Sequence, residues 1–173
     1  MLPPGHIAGG FIASKVAANF VTPLDRPEFF ILTSFFSFFP DLDSFISFAK
    51  IGKMISREDI DHRTYPTHAP LLYLLVFAIF YFLFPSYHYV SWAFLIGTWS
   101  HFLIDTFSAE GILWLWPFSK KFYNKQMDPR ITITEQGFFK HWTEFLKKYF
   151  KVFSFKVEIL LIAIALVLLF TNS

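Results

Sequence analysis

The sequence contains no cysteine, which removes disulfide scaffolds, Cys-ligated zinc fingers, iron–sulfur clusters and thiol nucleophiles together. Any catalytic metal must therefore rest on His, Asp or Glu. Charge is scarce as well: 16% of the 173 residues are Asp, Glu, Lys or Arg, against about 25% in an average soluble chain. Between Arg63 and Asp105 there is none. There is no Ser-His-Asp motif and no Gly-rich phosphate loop, so neither a serine triad nor a nucleotide cradle has support. The net charge is only +2, with the basic residues unevenly placed, which argues against direct nucleic-acid binding.

What is abundant is apolar. Hydrophobic residues make up 54% of the chain and aromatic residues 22%, with 26 Phe, more apolar surface than one small core can hide. Disorder is excluded, and so is a simple soluble enzyme. The expected fold class is all-α: an integral membrane helical bundle of short antiparallel helices, forming a single domain over residues 1–173. The charge-free stretch, broken at Pro85-Ser86-Tyr87-His88-Tyr89, predicts a helical hairpin with arms Ala69 to Phe84 and Val90 to Ile104. Each arm reaches roughly 23 Å against a hydrocarbon core of about 30 Å, and Tyr81, Tyr87, Tyr89 and Trp92 near the turn suit a lipid–water interface.

Two shorter helices precede the hairpin. From His6 to about Val21, Gly9, Ala13 and Ala17 recur every four residues and allow another helix close. Pro27 opens a second helix that runs to Phe39, where Pro40 stops it. After the hairpin, apolar residues at helical spacing with Lys140, Lys147, Lys148 and Lys151 between them predict a basic amphipathic helix over about 136–153. A membrane helix follows over about 157–170. The N-terminus lacks the basic start and long apolar core of a signal peptide. The hairpin turn carries no basic residue, whereas Lys50, Lys53, Arg57 and Arg63, and nine more between 120 and 156, lie in the longer connections. The positive-inside rule then turns those connections to the cytoplasm of a multi-pass protein.

On this sketch the scarce titratable residues meet at one end. His6 opens the first helix, Asp41 and Asp43 follow the second, His62 and His68 lead into the third, and His101 and Asp105 close the fourth. His101 and Asp105 are four apart and share a helix face. Three carboxylates and four imidazoles gathered near membrane depth are costly unless a cation neutralises them, so a metal site is expected on His6, Asp41, Asp43, His62, His68, His101 and Asp105. His88 and His141 fall outside the set. Arg63 is a candidate for the site or for an exposed anchor at the interface, Asp43 for a ligand or general base, and Glu110 for closing the site or standing in solvent.

The segments Phe39-Pro40-Asp41-Leu42-Asp43, His62-Arg63-Thr64-Tyr65-Pro66-Thr67-His68, His101-Phe102-Leu103-Ile104-Asp105 and Leu115-Trp116-Pro117-Phe118 resemble the YdjM-like family of prokaryotic inner-membrane proteins. That family is described as metal-dependent hydrolases and also as LexA-binding, and is distantly similar to zinc-dependent phospholipase C. The resemblance spans residues 6 to about 118 and implies metal-assisted hydrolysis of a phosphoester, such as a lipid head group. Thr64 replaces the family's usual Gly, and a third complete zinc site has no counterpart, so one or two ions are expected. The metal expected is divalent: zinc first, then Mn or Fe.

A first partition assigns His101, His62 and Asp41 to one ion and His6 and His68 to a second, with Asp105 bridging. The expected partners are membrane lipid and a small-molecule or lipid phosphoester, with room for a protein partner. The rival from another class is a non-enzymatic membrane interaction or regulatory protein that keeps the metal for structure. A transporter would place its ionisable groups at mid-membrane, and a di-iron desaturase would need paired His-x-x-His-His clusters.

Overall fold

The computed structural model describes residues 1–43, 66–107, 111–123, 131 and 138–171. Among these the fold is all-α, with a single isolated bridge between Ile112 and Tyr123. Helix α1 spans Pro3–Phe20 and begins three residues earlier than expected, because Pro3 and Pro4 sit in its first turn, where a missing N–H costs nothing. Helix α2 spans Pro27–Phe36 and ends before the expected Phe39. The chain then tightens into a 3-10 turn, Phe39–Leu42, that holds Pro40. Helices α3 (Pro70–Leu83) and α4 (His88–Asp105) flank a second such turn, Pro85–Tyr87. The basic helix α5 covers Phe138–Tyr149 and α6 covers Phe153–Thr171.

Small residues set the helix spacing. A Cβ on Gly9 would lie 2.5 Å from Ile104 Cδ1 of α4, as the Gly9-Ala13-Ala17 spacing anticipated. Gly97, which the sequence pattern did not single out, lets α4 press its backbone on that of α2: a Cβ there would lie 2.5 Å from the Thr33 carbonyl oxygen. Buried Phe29, Leu24 and Ala93 fill the middle of this three-helix contact, and Tyr73, Phe102 and Ile112 fill the space between α3 and α4.

Only α6, among the described residues, is long and apolar enough to cross a membrane alone. Its 19 residues reach about 28 Å, close to the hydrocarbon thickness. The α3 and α4 pair passes the same test only jointly and is bent by 119°, a wide-angled reversal rather than a straight two-span hairpin. Large apolar side chains stay exposed along both candidate segments, among them Leu75, Phe82 and Leu83 on α3 and Leu160, Val167 and Phe170 on α6. Continuous apolar surface of this kind marks contact with lipid or protein.

Helix α6 runs beside α1. Glu158 packs against Gly5, and Leu161 near Gly9, so both helices start at the same end. Buried Glu158 accepts hydrogen bonds from the Tyr149 hydroxyl of α5 and, at 3.4 Å, from the Leu2 amide. One carboxylate thus ties three chain segments together. Glu158→Ala should leave the Tyr149 hydroxyl and the Leu2 amide without this acceptor and lower stability by about 1.5–3 kcal/mol. Chemical denaturation in detergent measures the loss, which Glu158→Gln should reduce.

Candidate metal centre

The convergence expected from the sequence is present. Asp41 lies in the 3-10 turn after α2, His68 ends a 3-10 turn (Pro66–His68) just before α3, and His101 and Asp105 occupy the last turns of α4. Prolines make the two connections rigid: Pro40 precedes Asp41, while Pro66 and Pro70 bracket His68. One ligand atom from each of Asp41, His68, His101 and Asp105 lies within 4.8 Å of all the others. His6, from the first turns of α1, adds its Nε2 at 3.4 Å from Asp105 Oδ1 and 3.8 Å from Asp41 Oδ2. His6, His68, His101 and Asp105 are fully buried, and Asp41 retains 13% exposure.

The spacing is informative. His68 Nε2 stands 3.8 Å from Asp41 Oδ1, and His101 Nε2 stands 3.7 Å from both Asp41 Oδ1 and Asp105 Oδ2. These separations exceed the 2.7–3.2 Å of N–H···O hydrogen bonds. Two atoms each about 2.1 Å from a tetrahedral zinc ion lie about 3.4 Å apart, so the nitrogens and oxygens stand at nearly the separation that an ion between them would impose.

Both imidazoles are held from behind. His101 Nδ1–H donates to the Ser37 carbonyl at 2.9 Å, and His68 Nδ1–H donates to Asp43 Oδ2 at 3.0 Å. Once deprotonated at Nε2, each ring in that tautomer offers its Nε2 lone pair to the shared site, the outer arrangement that metal-binding histidines require. The Thr67 hydroxyl also donates to Asp43 Oδ2. Asp43 therefore stands behind His68 and orients it, rather than joining the four-residue set.

The electrostatics agree. Burial alone would raise the Asp41 pKa, but the imidazole of His101, the interaction with His68 and the proximity of His6 outweigh it and hold the carboxyl below the usual carboxylate range. For His68, burial favours the neutral ring, yet Asp41 and Asp43 overcome it and lift the pKa to about 9. Without a metal the cluster thus keeps a proton as its counter-charge, and an entering cation would take its place. Burying carboxylates and imidazoles costs several kcal/mol per ion unless they are compensated, so stability alone gives no reason for this set.

Asp43→Asn should keep the fold, because the isosteric amide can still accept from Thr67 and His68. It should weaken metal binding by roughly 10–100-fold through loss of the charge behind the His68 ring. A competitive chelator titration measures this.

His62, Arg63 and Glu110 lie outside the described residues. His68 groups with His101 rather than with His6 as the first partition had it. His88 stands apart, stacked on Tyr81 at 4.0 Å with Nε2 3.0 Å from the Tyr81 carbonyl oxygen, in keeping with its exclusion. Sequence reasoning did not find Ser37 and Thr67. Ser37 acts through its backbone carbonyl, which no side-chain pattern reveals, and Thr67 is marked only by its place beside His68.

A helical, lipid-facing protein with a buried His/Asp cluster able to hold a metal ion is the class that the fold and the site define. The chain belongs to the YdjM family: the family model described as "YdjM inner membrane protein" matches residues 1–172. No curated protein and no solved structure matches the chain.

Proposed function

We propose that the chain is a membrane-bound, metal-dependent hydrolase that cleaves a phosphoester of a lipid or another membrane-proximal substrate. The observation that carries the reading is the ring of His nitrogens and Asp oxygens 3.4–3.8 Å apart around a common gap. A divalent ion there, zinc first and Mn or Fe next, would supply a Lewis acid and lower the pKa of a bound water from 15.7 to about 7.

The chain's own residues supply the rest. Ser37 and Asp43 fix the rings of His101 and His68. Asp41, exposed at 13%, marks the side from which water and substrate approach. Arg63 would grip phosphate oxygens through its planar fork. Lys147, Lys148 and Lys151, exposed around the end of α5, favour an anionic head group. Helix α6 serves as one span and the bent α3–α4 pair as another. The positive-inside rule, applied to the basic connections of the sequence, supports a site on the cytoplasmic side.

The full burial of His6, His68, His101 and Asp105 favours one other reading, a membrane regulatory protein with a structural metal. Head-group and phosphate release from a panel of lipid phosphoesters, with and without chelator, separates the two. Release that chelator abolishes and zinc restores is expected. Silence across the panel from metal-loaded protein would contradict the hydrolase and favour the regulatory protein.

A further inference from the structure

The two central carboxylates divide their oxygens between two sides. Asp41 turns Oδ1 to His68 and His101, at 3.8 and 3.7 Å, and Oδ2 to His6 at 3.8 Å. Asp105 turns Oδ2 to His101 at 3.7 Å and Oδ1 to His6 at 3.4 Å. We infer that the cluster is a two-ion centre, with a second divalent-metal subsite formed by His6 Nε2, Asp41 Oδ2 and Asp105 Oδ1, and with Asp41 and Asp105 bridging it to the first. The inference rests on the proposed metal reading and deepens it.

Two independent features support the subsite. His6 is fully buried, and neither of its ring nitrogens has a hydrogen-bond partner. A buried imidazole in this condition lacks what the burial of polar atoms normally demands, a partner for each, and a metal ion supplies one. The His6 ring stacks on the His101 ring with centroids 4.0 Å apart and planes 26° from parallel. Two near-parallel rings that present Nε2 to the same carboxylates place their ions at about the ring spacing, and paired-metal sites have ions about 3.5–4 Å apart. The Met1 ammonium lies 3.5 Å from Asp105 Oδ1 and would have to give way to an ion on that oxygen.

The subsites differ in kind. The first has two imidazoles and two carboxylate oxygens, a closed four-ligand set. The second has one imidazole and two shared carboxylate oxygens, which leaves a coordination position open, as catalytic sites do. The second ion therefore binds more weakly, and it is the one placed to meet a phosphoryl oxygen.

The test uses full-length protein in detergent, stripped with chelator and titrated with Zn²⁺ or Mn²⁺. Bound metal is counted by elemental analysis, and the Mn²⁺ form is examined by electron paramagnetic resonance. Wild type should take up two ions per chain in two steps and show the multi-line spectrum of a spin-coupled Mn²⁺ pair. His6→Ala should take up one, with first-ion affinity within about threefold of wild type. His6→Gln, which keeps a polar side chain of similar reach, should do the same if the alanine variant fails to fold. Saturation of wild type at one ion would overturn the two-ion inference and leave the metal reading standing; uptake of none would overturn both. Two ions retained in either His6 variant would also overturn the assignment of His6.

Discussion

His101→Ala should abolish tight metal binding and, with it, chelator-sensitive hydrolysis. The ring contributes Nε2 at 3.7 Å from oxygens of both Asp41 and Asp105, so its removal leaves two buried carboxylates facing a gap with one fewer donor. The loss should exceed the roughly 10–100-fold typical of an outer partner, because a ligand itself is removed. Stability should also change. The Ser37 carbonyl loses its donor at 2.9 Å, which costs about 1–3 kcal/mol for a buried group. His88→Ala is the matched control: it removes a histidine stacked on Tyr81 at the far end of α4, and metal binding should be unchanged. Equal metal affinity in His101→Ala and wild type would contradict the geometry.

The second large effect falls on a residue that touches no ligand. At an exposed helical position, Gly→Ala stabilises by up to about 1 kcal/mol. At Gly97 the sign should reverse, because the new Cβ would lie 2.5 Å from the Thr33 carbonyl oxygen, 2.8 Å from Phe36 Cβ and 3.0 Å from the Ser37 amide nitrogen. Two of those three atoms are backbone and cannot rotate aside. Helices α2 and α4 must part, at about 1–3 kcal/mol for overpacking, and Ser37 moves relative to His101. Gly97→Ala should therefore lower both the unfolding midpoint and the metal affinity, and thermal unfolding with and without metal reads both. An unchanged midpoint would show that α2 and α4 are not in this close contact.

The helices were legible in the sequence to the extent that proline and apolar runs mark them. Pro3, Pro27 and Pro70 open α1, α2 and α3, and the charge-free stretch contains α3 and α4. Helix α2 ends three residues before the expected Phe39, since Pro40 cannot donate back into a preceding α-helix but says nothing of where the turn before it tightens into 3-10. The meeting of His6, Asp41, His68, His101 and Asp105 was legible because alternating helix directions bring those ends together. What the pattern could not show depends on contacts between distant segments. The backbone-to-backbone approach at Gly97, the Ser37 carbonyl behind His101 and the pairing of Glu158 with Tyr149 and Leu2 all need the packed molecule. Asp-x-Asp spacing brings Asp43 close to Asp41, but only the packed molecule shows that its Oδ2 accepts from Thr67 and His68.

The central claim is that the His/Asp cluster is a metal centre in a membrane protein. Elemental analysis of the full-length protein, purified in detergent without a metal-affinity column and dialysed against metal-free buffer, tests it most directly. At least one transition-metal ion per chain should be retained by the wild type and lost in His101→Ala. Wild-type protein that is folded, carries no metal and takes up none on titration would contradict it.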